Sequence, residues 1–579
     1  MKKILMSALL CALMAPLFVS CHMLDEKNYG NPTTDDMLAK EDNIVLLVGQ
    51  AYADVKWLHD HWGYWGVASL TADECICPVR VPGEHWSDGG YWRNLNTHRW
   101  NEFGDAFKNI WNTTIQGAVL CNKLLDALEQ NKANMSETFY LQYTAELKVL
   151  RSYYYYMLFD CFGRIPYLEV YEDVTEPLMA PPAVWAHLVS CLEQNAVNLP
   201  EVTDGNRAAF YGRCSQGMAY TLLARLYLNA ESFGCTPENV NAVKRSADAG
   251  KSVLDEAGVV IASPTDFYTN AVRCCDLIIN SGSYTIEPDY FTNFQIKNEN
   301  SKENIFVIVE DGNADFDYRD YAGSMANKLR ITMLTLHYSH QKTWDLIEKP
   351  WNGFCARPSF LARYNERDVR GPGNEGKGTQ NKQRWGWFVG PIYDAKGESI
   401  LRDENDSMSI IRPEIASLDA ATWNDGARML KYEIDKTKTY KYCENDFVLF
   451  RYADVLWMKE EAILRGGSGV SGANSADFQT MRKRAFAYEA DPAAAYEAAY
   501  PAVAADLNSI LDERGREFAW ENIRRRDLIR FGKFNDPTYV QYVSATDLYR
   551  NWFPIPYSVL EKGKRDENGN PIWTQNEGY

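Results

Sequence analysis

The stretch that most constrains this chain is Leu147–Leu168, LKVLRSYYYYMLFDCFGRIPYL, in which four tyrosines stand in a row. Gly163 and Pro166 read as a stop signal, so the spacing predicts a helix from about Ser136 to Phe162. On a wheel centred on Tyr154, one face carries Tyr143, Leu147, Leu150, Met157, Leu158 and Cys161. The opposite face carries Ala145, Val149, Ser152, Tyr156 and Phe159, all small or apolar. Polar groups fall on the flanks, Lys148 and Arg151 on one side and Gln142, Glu146 and Asp160 on the other. A helix with two apolar faces is sandwiched between neighbours. Tyr154 and Tyr156 are therefore expected to pack, with Tyr153 and Tyr155 at the edges, their hydroxyls on polar partners. The run is architecture.

Similar patterns recur. Residues 106–130, 183–199, 215–234 and 265–282 read as amphipathic helices in pairs with short links. Such pairs suggest a mainly α fold, a stack of tetratricopeptide-type helical hairpins. KENIFVIVED (302–311) reads instead as a buried strand. Residues 312–440 are rich in Gly, Asn, Asp and Pro, too long for a plain loop, and predict an irregular functional elaboration with few short strands. Helices are expected to resume over 445–467 and again over 502–533. With 579 residues, more than one packed lobe is expected.

The N-terminus sets the compartment. Lys2 and Lys3 precede an apolar run from Ile4 to Val19 and then Ser20-Cys21, the layout of a secretory signal over residues 1–20. Cysteine directly after that break resembles a bacterial lipobox, which implies lipidation of Cys21 and a membrane anchor followed by a tether over 21–36. Asp25-Glu26 is similar to a surface-export tag of some Gram-negative lipoproteins. The net charge of −18 argues against nucleic acid as a partner. Of the 13 cysteines none forms CxxC, and the reading is buried free thiols acting as small hydrophobes.

Catalytic patterns are absent. No HExxH, phosphate loop or GxSxG elbow occurs, and the pairs His59/His61 and His337/His340 make poor metal sets. Glu517 and Glu521 lie four apart, as if on one helix face, whereas glycoside hydrolysis needs carboxyls on both sides of the bond. Arg514, Arg516, Arg524 and Arg525 around them read as ion-pair lacing, with Arg451, Asp454, Arg526, Asp527 and Arg530 joining helices in the same way.

Binding candidates are sharper. Residues 71–100 pack Trp86, Trp92 and Trp100 together with Asp73, Arg80 and Asp88 into a segment rich in Gly and Pro. An indole takes the C–H face of a sugar while carboxylates and guanidinium groups read its hydroxyls. Trp86 is the first choice for a ligand contact, with Asp73, Arg80, Asp88 and Trp92 beside it. RWGWFVGPIYD supplies Trp385, Trp387 and Tyr393 as a second wall.

These motifs resemble the RagB/SusD family. RSYYYYMLFDCFGRIPYL, NENSKENIFVI, Asp368-Val369-Arg370, FVLFRYADVLWMKEEAILR, DERGREFAWENIRRRDLIRFGKF, FPIP and QNEGY follow the family order over nearly the whole mature chain. The resemblance implies a SusD-like fold, with an N-terminal region over 37–285 and a C-terminal region over 286–579. It implies a non-enzymatic, surface-exposed outer-membrane lipoprotein with a glycan site near Trp86. Its cargo would be an oligosaccharide or polysaccharide, delivered to a SusC-like TonB-dependent transporter. No cofactor is expected, although some relatives bind calcium. A peptide-binding member and a surface glycoside hydrolase are the alternatives.

Overall fold

The computed structural model describes residues 41–579 apart from 82–85, 173–175, 246–249, 258–262, 264, 311–330, 345, 373–385, 394–409 and 438–442. The expected signal segment, tether and Cys21 lie outside the described residues, as does much of the elaboration over 312–440.

A short helix α1 (Tyr64–Thr71) precedes two long ones, α2 (Asp105–Gln130) and α3 (Glu137–Phe162). They are followed by α4 (Pro181–Ala196), α5 (Gln216–Leu228) and α6 (Phe267–Ser281). Each long helix packs on the next, α2 on α3, α3 on α4, α4 on α5 and α5 on α6, as a stack of hairpins requires. Local chemistry sets the ends of α3. The Ser136 hydroxyl accepts the Phe139 N–H at its start, and Gly163, at φ +68°, ends it.

All four tyrosines of the run are buried. Tyr154 donates to the Ala51 carbonyl (2.6 Å), Tyr153 pairs with His59 Nε2 (2.7 Å), and Tyr155 donates to the Leu168 carbonyl (3.0 Å). Three charged residues on the flanks of α3 are also buried, and each meets an opposite charge: Glu146 with Arg213, Arg151 with Glu169, Asp160 with Arg525 and Arg526; Gln142 and Lys148 are half-buried. From Tyr143 onward the helix is largely enclosed, whereas its first turns, Glu137 and Leu141 among them, face solvent. Close approach of α2 depends on Gly117, because a Cβ there would overlap the Tyr154 ring.

Among the described residues, six short strands form two-stranded antiparallel sheets: β1 (Asn304–Ile308) with β6 (Phe447–Arg451), β2 (Gly386–Phe388) with β5 (Arg428–Leu430), and β3 (Gly390–Pro391) with β4 (Ile410–Ile411). The helix expected over 445–467 is therefore a strand followed by a helix, α7 (Tyr452–Leu464). Phe447-Val448-Leu449-Phe450 suits a doubly buried strand and finds its partner in β1, which overrides helical continuity. The long helix over 502–533 is likewise two, α8 (Leu507–Glu517) and α9 (Arg524–Arg530), because Trp520 and Asn522 turn with positive φ. One apolar cluster runs from Ile44 to Ile555, and the elaboration has its own small core around Trp344, Phe388 and Leu430. The described cysteines are free thiols, all buried except the half-buried Cys443.

That break corrects the reading of Glu517 and Glu521, which do not share one helix. Glu517 takes Arg370, Arg451 and Arg484, and Glu521 takes Arg451 and Lys431. Their partners come from distant segments rather than from Arg514, Arg516, Arg524 and Arg525. Arg514 holds Asp454 and Asp527, Arg516 holds Glu513, Arg524 holds Asp73, and Arg525 holds Asp160. Burial works to raise the Glu517 carboxyl, but Arg484, Arg451 and Arg370 outweigh it and hold it far below the usual range.

Two expectations follow. Gly117→Ala should lower unfolding stability by about 1–3 kcal/mol in a denaturant titration, through overpacking against Tyr154. Glu74 should also make stability depend on pH. Burial pushes its carboxyl up to about 8, against a backbone N–H from Trp520 (2.8 Å) that favours ionisation. The fold then keeps a proton that the unfolded chain releases near 4.5, so stability falls as pH rises from about 4.5 to 8. Glu74→Gln should flatten that slope in thermal melts across the window; an unchanged slope would refute the assignment.

Candidate ligand-binding site

Four half-buried aromatic rings stand together on the surface: Trp62, Trp86, Tyr91 and Trp351. Trp62 stacks on Tyr91 (centroids 5.1 Å apart, 27° between planes), and Trp86 lies 5.3 Å from Trp351. Beneath them are the buried rings of His61, Trp92 and Phe354. His61 touches all four indoles, at 5.5 Å from Trp86, 5.9 Å from Trp92, 6.0 Å from Trp351 and 6.1 Å from Trp62.

Each ring is held by its own segment. Trp62 follows the turn after Leu58, where Asp60 Oδ1 accepts the Trp62 N–H (2.9 Å) and lies 2.8 Å from His61 Nδ1. Trp92 sits in a short helix over Tyr91–Asn96, and its Nε1 donates to Asp88 Oδ2 (2.6 Å). Trp351-Asn352-Gly353 is an irregular segment laid along residues 333–336, in which Asn352 has φ +58°. The Trp351 N–H donates to Met333 O and the Gly353 N–H to Leu334 O. The Trp86 ring lies directly over Gly353, where a Cβ would overlap it. Any side chain at 353 would lift that indole away.

The structure redistributes the residues expected at the site. Trp86 belongs to the ring cluster, and Asp88 is exposed beside it. Asp73, Arg80, Trp92 and Trp387 do not face solvent; all four are buried. Asp73 forms a paired contact with Arg524 (2.7 and 2.8 Å). Burial works to raise its carboxyl, but Arg524, Arg363 and Arg357 outweigh it and hold it below the usual range. Arg80 donates to the carbonyls of Thr422 (2.8 Å), Asp425 (2.7 Å) and Gly353 (3.3 Å), tying the 351–353 segment to the 422–425 segment. These two charges therefore brace the loops that carry the rings. Trp92 is the floor of the cluster, and Trp387 packs edge-on against Trp520 in the core. Trp100, a further candidate, is buried as well, its Nε1 donating to Tyr579. Tyr393 is 38% exposed, and Trp385 lies outside the described residues.

Trp62, Tyr91 and Trp351 were not singled out from the sequence. The signal for Trp351 was present, an Asn-Gly pair directly after a tryptophan. Nothing local distinguished Trp62 from its buried neighbour Trp65. Charged groups at the rim are Asp88 and Arg93, the latter ion-paired with Asp419. Among the described residues no group of three His, Cys, Asp or Glu could hold a metal ion. Glu517 and Glu521, the carboxylates that suggested hydrolysis, are buried in ion pairs. The arrangement offers stacking surfaces with polar edges, suited to a flat-faced ligand carrying hydroxyls.

Comparison with known proteins follows the same line. Residues 77–228 match a family described as starch-binding and associating with the outer membrane. The starch-binding protein SusD of Bacteroides thetaiotaomicron is 23% identical over 542 residues, covering 88% of this chain and 84% of that protein. The surface glycan-binding protein A of Bacteroides fluxus superposes with a TM-score of 0.66 at 20% identity, over 93% of this chain and 100% of its own. The surface glycan-binding protein A of Bacteroides thetaiotaomicron, solved in complex with laminarihexaose, also gives 0.66, at 19% identity over 92% and 99%. At such identities the structural likeness is one of fold. The profile of the SusD family matches residues 280–579, more than half the chain, and the chain belongs to that family.

Proposed function

We propose that the cluster of Trp62, Trp86, Tyr91 and Trp351 holds an oligosaccharide on the bacterial surface and leaves its bonds intact. The observation that carries this reading is the side-by-side display of four half-exposed rings on braced loops. Stacking of sugar C–H faces on indoles would supply affinity, and Asp88 and Arg93 beside the rings would read hydroxyls. The starch- and glycan-binding names of the relatives support the same ligand class. A lipid on Cys21 would tether the protein, and the captured glycan would pass to a SusC-like TonB-dependent transporter. No helix among the described residues is long and apolar enough to cross a membrane.

The test is calorimetry and affinity electrophoresis against a panel of α- and β-glucans, other plant and fungal glycans, host glycans and peptides. One glycan class should bind, with no new reducing ends released on prolonged incubation. Trp86→Ala and Trp351→Ala should each weaken binding by about 10- to 100-fold, the loss expected for a contact tryptophan. The far-ultraviolet circular dichroism should stay unchanged. Tyr393→Ala, at the exposed ring of the expected second wall, should weaken binding as well if that wall contacts the same glycan, and leave it unchanged if the cluster acts alone. Saccharide cleavage, or capture of peptides with indifference to every glycan, would refute the reading.

A further inference from the structure

Deep in the helical stack, between α3, α5, α7, α8 and α9, lies a cavity with about 30 Å³ of free space. A single water needs about 10–15 Å³ on the same measure. The cavity is unrelated to the surface rings, and its walls combine an excess of positive charge with donors that lack acceptors.

The charge follows from the ion pairs. Arg225, Arg514 and Arg530 are matched by Asp454, Asp527 and Glu461. Arg525 and Arg526, in contrast, share the single carboxylate of Asp160. Counting Arg525, which lies behind the wall on Asp160 and the Asn551 carbonyl, five guanidinium groups thus meet four carboxylates around the cavity. Arg465 adds a further positive charge at the partly exposed edge, on Glu461. Glu521 also borders the cavity, but Lys431 and Arg451 already neutralise it. His59 adds no charge, since burial and then the neighbouring Arg225 bring it down to about 3.

The donors point the same way. Arg526 is buried and lines the cavity, and its Nη1 has no hydrogen-bond partner among the described residues. Asn522 Nδ2 lies 2.9 Å from His59 Nδ1, and His59 Nε2 lies 2.7 Å from the Tyr153 hydroxyl. With the amide donating, neutral His59 donates to Tyr153, whose own proton is then free to point into the cavity. Tyr156 borders the same space. Asn522 Oδ1 is the free acceptor; in the reversed amide the NH₂ group takes its place, and Tyr153 donates to His59. An unbalanced buried charge is costly, and an unpartnered guanidinium N–H adds to that cost.

We infer that this cavity is a built site for a monatomic anion of chloride size, held by Arg526 and the Tyr156 hydroxyl together with whichever of the Tyr153 hydroxyl and the Asn522 amide turns its proton inward. The anion balances the fifth guanidinium and supplies the missing acceptor, so it stabilises the junction of α3 with α9. It binds the folded chain only, and stability rises with its concentration until the site saturates.

Crystals of the full chain grown with bromide in place of chloride should show an anomalous peak in this cavity beside Arg526. At fixed ionic strength and pH, the melting midpoint should be a few degrees higher in chloride than in gluconate, with saturable dependence. Arg526→Gln should abolish both effects. Should that variant fail to fold, the bromide position in the parent protein decides alone. A cavity holding only water, or bromide confined to the surface, overturns the assignment; so do identical midpoints in the two salts.

Discussion

The structure depends on a buried lattice of arginines and carboxylates centred on Glu517 and Arg451. Arg451 ends β6 and reaches Glu303, Glu517 and Glu521, while Arg484 bridges Glu303 and Glu517, and Arg370 bridges Asp368, Glu513 and Glu517. With Lys431 and Arg516, five cations meet five carboxylates, Asp368, Glu303, Glu513, Glu517 and Glu521, so this half of the lattice closes electrically. Buried ion pairs stabilise little against an apolar replacement, yet removing one partner costs about 3–5 kcal/mol because a charge is stranded. The lattice therefore selects one arrangement of segments more than it deepens the fold.

The loops that carry the surface rings are fastened to this frame by the same chemistry. Asp73, at the end of α1, is clamped by Arg524 of α9, and the Trp65 indole donates to the Trp520 carbonyl in the turn between α8 and α9. Arg357 joins Leu70 O to Asn96 O, and Arg80 joins the 351–353 segment to the 422–425 segment. These guanidinium groups satisfy carbonyls that irregular backbone would otherwise leave unpaired in the interior. Rigid presentation of aromatic rings by loops thus requires buried charge beneath them. A binding surface that holds its rings in place before the ligand arrives loses less entropy on capture.

Much of this was legible in the one-dimensional pattern. The two apolar faces of α3 required neighbours on both sides, and α2 and α4 supply them. The free buried thiols were readable as composition and spacing. Two helices were misdrawn because their decisive partners lie elsewhere: β6 needs β1, and the turn at Trp520 needs Glu74 to accept its N–H. Of the expected ligand contacts, Trp86 reached the ring cluster, while Asp73, Arg80, Trp92 and Trp387 turned inward.

Periodicity is a local property, so the amino-acid order alone determined a mainly helical stack, its tyrosine-lined centre and its family. Exposure and pairing are not local. Glu517 meets an arginine 147 residues away, and Trp62 shares a surface with Trp351. Only tertiary packing decides which indole of a Trp-rich segment faces water and which guanidinium lacks a carboxylate. Both outcomes depend on the shape and charge that distant segments bring to the same place.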